Sequence, residues 1–199
     1  MITVIDEFVP LEFQQALVDA MDSKLTWKFK DKTALGVQGQ NVLEDANTQD
    51  SSQFYHIAFD HLSGHKSMFF IFLKPLMDTI EKEFGAIGML QRIKINHTSI
   101  INNRKELSYN LAHTDDGNVA WTTAVYYINN SDGPTYIFNE MYSEDSSITS
   151  LSIKEAVMPK QGRIVVFPSN LFHAGSNPII SNDRFVINII FALGKDIPK

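Results

Sequence analysis

Four side chains in the C-terminal half of this chain are of the types that bind metals and anions. His113 and Asp115 stand two residues apart in "LAHTDDG", His173 follows in "NLFHAGS", and Arg184 opens "RFVINIIFAL". If the first segment is a strand, side chains two apart share a face. An imidazole beside a carboxylate is two-thirds of a ligand set that holds iron and leaves coordination positions open. Alone, H-x-D is short enough to arise by chance, and it equally describes a polar strand end running into a turn. His173 by itself reads as a structural histidine near a strand end. Arg184 opens a strand whose faces, Val186, Asn188, Ile190 and Phe185, Ile187, Ile189, Phe191, are both largely apolar. That is the texture of a strand buried on both sides. Arg184 and Asn188 are the polar exceptions on one face. A buried guanidinium needs an anion, whereas one at an exposed strand end snorkels to water.

The elements that must position these residues come in two textures. "MITVIDEFV" reads as a short strand. In "PLEFQQALVDAMD", Phe13, Ala16, Leu17, Ala20 and Met21 recur at helical spacing behind Pro10. Residues 30 to 62 are polar and read as irregular, with "KDKTALGVQGQN" the most loop-like part. From Ser67 to Phe84 the apolar stripe Met68, Phe69, Phe72, Leu73, Leu76, Met77, Ile80 and Phe84 predicts a second helix, with a kink at Pro75. After Gly85, short β-rich runs follow one another, from "LQRIKINHTSI" through "LSYNLAH", "VAWTTAVYYIN" and "GRIVVFP" to "RFVINIIFAL". Turn signals such as "DDGN", "NNSDGP" and "PKQG" separate them. This spacing predicts an antiparallel sandwich or barrel, in two facing sheets with the helices packed outside one of them. The expectation is one domain over residues 1–199: a helix-rich lead-in, 1–88, and a jelly-roll core, 89–199.

Composition narrows the function. The 199 residues suffice for a sizeable core. There is no cysteine, which excludes disulfides, thiolate metal sites and a cysteine nucleophile. That fits a reducing compartment, and the chain is read as cytoplasmic. A net charge of −6 disfavours broad capture of nucleic acid. "MITVIDEFVP" has no basic opening, so it is not read as a signal peptide. "SMFFIFLKPLM" is too short to span a bilayer, and no membrane association is expected.

Taken in order, the pieces form a longer pattern. H-x-D is followed by "VYYIN", then "DGPTYIF", then "PKQGRIVVFPSNLFHAG", then Arg184 eleven positions after His173. Over residues 93 to 193 this resembles the iron(II)- and 2-oxoglutarate-dependent dioxygenases, in the branch related to prolyl 4-hydroxylases. "YYIN" is similar to that branch's Tyr-Leu-Asn strand, and "DGPTYIF" to its Gly-Gly-x-Thr turn, with Pro134 in place of the second glycine. The resemblance implies a double-stranded β-helix, a cupin-like jelly roll of antiparallel strands with N-terminal α-helices outside. It implies Fe(II) held by His113, Asp115 and His173, and 2-oxoglutarate gripped through its far carboxylate by Arg184. O2 is then the co-substrate, and ascorbate an accessory reductant. Tyr127 is either a second donor to the cosubstrate or an ordinary core tyrosine, and Asn188 lines the same pocket. His97 is a weaker candidate for that pocket. His56, His61 and His65 read as polar loop residues rather than a second metal site. The implied activity is hydroxylation of a C–H bond, with 2-oxoglutarate going to succinate and CO2. The substrate is a prolyl or other protein side chain, or a small molecule. A non-catalytic jelly-roll binding module is the alternative from another class, since the fold hosts both. The oligomeric state has no signal.

Overall fold

The computed structural model describes residues 1–23, 25–34, 41–143 and 148–196. The loop expected at "KDKTALGVQGQN" lies outside the described residues at 35–40. In chain order the elements are β1 (Thr3–Ile5), α1 (Leu11–Ser23), β2 (Lys28–Lys30), β3 (Val42–Leu43), β4 (Gln53–Asp60), β5 (His65–Lys66), α2 (Phe69–Phe72) and α3 (Lys74–Phe84). They continue as β6 (Ile87–Ser99), β7 (Ala112–His113), β8 (Thr122–Tyr127), β9 (Thr135–Met141), β10 (Ile153–Val157), β11 (Ile164–Pro168), β12 (Leu171–Gly175) and β13 (Asp183–Leu193).

The strands form two antiparallel sheets. The larger runs β1-β11-β8-β13-β6-β4-β2, with β5 paired to β4, and the smaller runs β10-β9-β12-β7-β3. Alternation along the central strands sorts their side chains between two cores. On β13 and β8, Ile187, Ile189, Phe191, Ala124 and Tyr126 face the helices, where they bury Leu17 and Ala20 of α1 and Leu76 and Ile80 of α3. The other face points toward the smaller sheet: Val125, Tyr127 and Val186 meet Ile137 and Leu171. The fold is therefore mainly β, a jelly roll with the helices outside the larger sheet, as the sequence predicts. No helix of the described residues is long and apolar enough to cross a membrane.

Two local expectations change. The stripe from Ser67 to Phe84 is two helices rather than one kinked helix. Leu73 leaves helical geometry (φ −80°, ψ 1°), and Pro75 sits in the first turn of α3. Proline lacks an N–H and its ring crowds the carbonyl four residues back, so the chain restarts there. Within the region read as irregular, 53–60 form the full strand β4, paired along β6. Its inward residues Gln53, Tyr55 and Ile57 are mixed in polarity, which hides the period of two. The run "LSYNLAH" contributes only the two residues of β7.

Truncating Ile187, fully buried between sheet and helices, tests this packing. Ile187→Ala is expected to cost about 2–5 kcal/mol, read by urea denaturation. A loss below about 1 kcal/mol would be out of line with a sealed core at this strand.

Candidate metal and cosubstrate site

His113 and His173 are direct cross-strand partners on β7 and β12, with ring centroids 4.6 Å apart. Asp115 is not on the strand. β7 ends at His113, and the backbone N–H of Asp115 donates to the Ser169 carbonyl in the turn before β12. A turn, not strand alternation, thus delivers the carboxylate. One ligand atom from each of His113, Asp115 and His173 lies within 4.8 Å of the others, and these three form the one such group among the described residues.

The histidines are held alike. Nδ1 of His113 is 3.0 Å from the Leu111 carbonyl, and Nδ1 of His173 is 3.1 Å from the Leu171 carbonyl. A carbonyl only accepts, so each Nδ1 carries the proton and each Nε2 keeps its lone pair. Burial first, then the neighbouring His173, pushes the His113 imidazole down to about 3, so it stays neutral and able to ligate. Asp115 is buried, which by itself opposes its ionisation. His173, Arg92 and His113 outweigh that and hold the carboxyl well below the usual range. Its Oδ2 accepts from Thr123 (2.9 Å) and from the Asn188 amide (2.8 Å), and its Oδ1 from Arg92 (3.1 Å). Two imidazoles with outward lone pairs and an ionised carboxylate fit a divalent iron, and three coordination positions would stay open.

Arg184 lies four residues before Asn188 on the same face of β13, with Val186 between them. It is only 5% exposed and has no carboxylate partner among the described residues. Its Nε donates to the Gly133 carbonyl (2.8 Å) and its Nη2 to the Thr135 hydroxyl (2.7 Å). Burial depresses its pKa. Nη1 lies against Gly175, where a Cβ would come within 3.2 Å of it. A Cβ on Gly133 would fall 2.3 Å from the Ser176 carbonyl, so the "DGPTYIF" turn needs glycine to bring its carbonyl onto the guanidinium. The triad, Arg184, Asn188, Thr98, Asn96 and Lys94 line one small cavity of about 70 Å³.

The other candidates separate. Asn188 lines the cavity and braces Asp115, and its Oδ1 is buried without a partner. Tyr127 does not line it; its hydroxyl donates to Thr135 Oγ1 at 2.7 Å, beneath Arg184. His97 is on the opposite face of β6, stacked on Phe185 (centroids 4.2 Å apart) and 2.6 Å from Asp183. His56 and His65 are strand residues bonded to Thr26, Ser67 and Ile57. Sequence reasoning missed Thr123, Thr135, Arg92 and Lys94. The signal for the last two was the alternation in "RIKINHT": Ile93 and Ile95 on one face, Arg92, Lys94, Asn96 and Thr98 on the other.

No protein-family model matches the chain, and no curated protein matches it. Among solved structures, an oxidoreductase of the 2OG-Fe(II) oxygenase family from Burkholderia pseudomallei is 12% identical with a TM-score of 0.59, over 96% of this chain and 84% of that one. A Pseudomonas putida prolyl-4-hydroxylase is 15% identical with a TM-score of 0.52, over 96% and 92%. HygX from Streptomyces hygroscopicus, solved with nickel and 2-oxoglutarate bound, is 11% identical with a TM-score of 0.53, over 96% and 82%. At these identities the likeness is one of fold: the chain has the fold of the 2OG-Fe(II) oxygenases.

Calorimetric titration with nickel(II) tests the bracing of Asp115. Asn188→Ala removes a donor to the carboxylate and is expected to weaken metal binding by about 10–100-fold, the usual cost of losing a ligand's supporting bond. His173→Ala should abolish tight binding. An Asn188→Ala protein with unchanged nickel affinity would show that Asp115 needs no such support.

Proposed function

We propose that the chain is an iron(II)- and 2-oxoglutarate-dependent dioxygenase that hydroxylates a C–H bond while 2-oxoglutarate goes to succinate and CO2. The observation that carries this reading is a single cavity with two unmet demands. His113, Asp115 and His173 present metal-ligating atoms to it, and Arg184 brings a buried cation without an anion. The dioxygenase fold and HygX, with nickel and 2-oxoglutarate bound, support the same assignment.

In this reading His113, Asp115 and His173 hold the metal, which when bound supplies oxygen activation and the oxidative decarboxylation of the keto acid. O2 and the accessory reductant ascorbate belong to the same proposal. Each residue then has a task the geometry supports. The Leu111 and Leu171 carbonyls fix both imidazoles with Nε2 forward. Thr123, Asn188 and Arg92 hold the Asp115 carboxylate ionised and aimed. Gly133 and Thr135 aim the Arg184 fork, whose planar geometry suits a carboxylate, at the far carboxylate of 2-oxoglutarate. Tyr127 acts through Thr135 rather than on the cosubstrate, and Asn188 borders it. Asp115, His173 and Arg184 are themselves buried, so these charged contacts are stronger than at an exposed surface.

For the substrate, the solved prolyl-4-hydroxylase supports a prolyl or other protein side chain. The cations beside the triad favour a small molecule, because a proline ring is neutral and gives them nothing to bind.

The test is 2-oxoglutarate titration of the iron-loaded, oxygen-free protein, following the charge-transfer absorbance of the chelate. A charge-assisted hydrogen bond contributes about 1.5–3 kcal/mol, and each 1.4 kcal/mol or so is tenfold. Arg184→Ala should therefore weaken binding roughly ten- to a hundredfold, and Arg184→Lys should recover part of it. Succinate must form on admitting oxygen. A protein that binds but never forms succinate would be the binding module instead, and wild-type affinity in Arg184→Ala would remove the cosubstrate assignment.

A further inference from the structure

Beside the metal-side cavity lies a second one of about 310 Å³, lined by Lys30, Tyr55, Ile57, Arg92, Lys94 and Ile190 among others. Arg92, Lys94 and Asp115 line both. A molecule in the outer cleft therefore reaches the wall on which the triad's carboxylate sits. We infer that this cleft is the substrate site and that it selects a small organic acid, a carboxylate or phosphate on a partly apolar body, held by Lys30, Arg92 and Lys94. The inference rests on the dioxygenase reading for the identity of the reacting centre, and adds the chemical class of the molecule brought to it.

Three cations, Lys30, Arg92 and Lys94, line this cleft against two carboxylates, Asp60 and the triad's Asp115. The ammonium groups of Lys30 and Lys94 make no ion pair or hydrogen bond among the described residues. Instead, their ammonium groups lie 5.6 and 5.8 Å from the centroid of the Tyr55 ring. Arg92 has one carboxylate partner among the described residues, Asp115, and its Nε is buried with no acceptor among them. Burial first, then Arg92 and Lys30, pushes the Lys94 ammonium down to about 7, with Asp115 opposing the shift only in part. Asp60 accepts from the backbone N–H and hydroxyl of Ser63, which orient its carboxylate without neutralising it, so the lining keeps one more cation than carboxylate.

Neither expected occupant of the inner cavity relieves this. A divalent metal beside Asp115 adds two positive charges, and the 2-oxoglutarate dianion removes two and is claimed by Arg184. The cationic trio is then left as it was. The chain as a whole carries −6, so the positive field is local to the cleft and repels nothing but cations there. Ile57, Leu62 and Ile190 give the remainder of the lining an apolar side, which suits a hydrocarbon or aromatic body carrying the C–H bond.

The experiment is calorimetric titration of the full-length, metal-free protein with benzoate, phenyl phosphate and the neutral benzamide. At least one anion should bind, more weakly as salt is raised, and benzamide should not. The stronger of benzoate and phenyl phosphate tells which acid the cleft was built for. Lys94→Gln should weaken that anion roughly tenfold or more; Lys30→Gln, at the edge of the sheet, should act in the same direction and serves if Lys94→Gln does not fold. Arg184→Gln should leave the anion in place while losing 2-oxoglutarate from the nickel-loaded protein. Binding of benzamide as tight as benzoate, wild-type anion affinity in both lysine variants, or loss of the anion in Arg184→Gln alone would overturn the inference. Failure of the nickel-loaded wild type to take up 2-oxoglutarate while the anion still binds would instead overturn the dioxygenase reading.

Discussion

A carboxylate taken out of water must be compensated where it lies, and the arrangement of this protein follows from how Asp115 meets that demand. Its oxygens accept from Thr123 on β8, Asn188 on β13 and Arg92 on β6. These strands belong to the larger sheet, whereas Asp115 itself follows β7 of the smaller one. An unpaired buried ion costs several kcal/mol, so the two sheets are held in the relative placement that brings these three donors to a single turn. The carboxylate is both the joint between the layers and the acidic member of the metal triad.

The cations show the opposite balance. Arg184 is buried against neutral acceptors, the Gly133 carbonyl and the Thr135 hydroxyl, which orient a guanidinium without neutralising it. The ammonium groups of Lys94 and Lys30 rest against the Tyr55 ring rather than in an ion pair among the described residues. A stable fold does not gain from such groups, which depress their own ionisation by burial. A satisfied anion beside unsatisfied cations describes a cavity organised to receive negative charge from outside, at two distinct places.

The larger sheet pays for this by dividing labour between its faces. Along β13, Ile187, Ile189 and Phe191 seal against α1 and α3, while Arg184 and Asn188 look inward. Along β6, Ile93 and Ile95 join the same apolar layer and Arg92 and Lys94 join the cavity. The helices are thus more than a cover. They supply the packing that lets the opposite face of the same strands carry charge.

What the sequence determined by itself was local. His113 and Asp115 are two residues apart, Arg184 and Asn188 are four apart on a strand, and the apolar stripes of α1 and α3 repeat at helical spacing; each is legible because side-chain direction follows from backbone period. The family pattern linked His173 and Arg184 to the same site. Tertiary structure decided the rest. It ended β7 at His113 and set Asp115 in a turn, turned His97 outward onto Phe185, spent the Tyr127 hydroxyl on Thr135, and made a strand of 53–60 whose inward face borders a cavity rather than a core. It also brought Lys30, Arg92 and Lys94 together from β2 and β6. Periodicity tells which residues share a face, but not which face looks onto which other. Charge compensation across two sheets is a property of that pairing, fixed only when distant strands close the cavity between them.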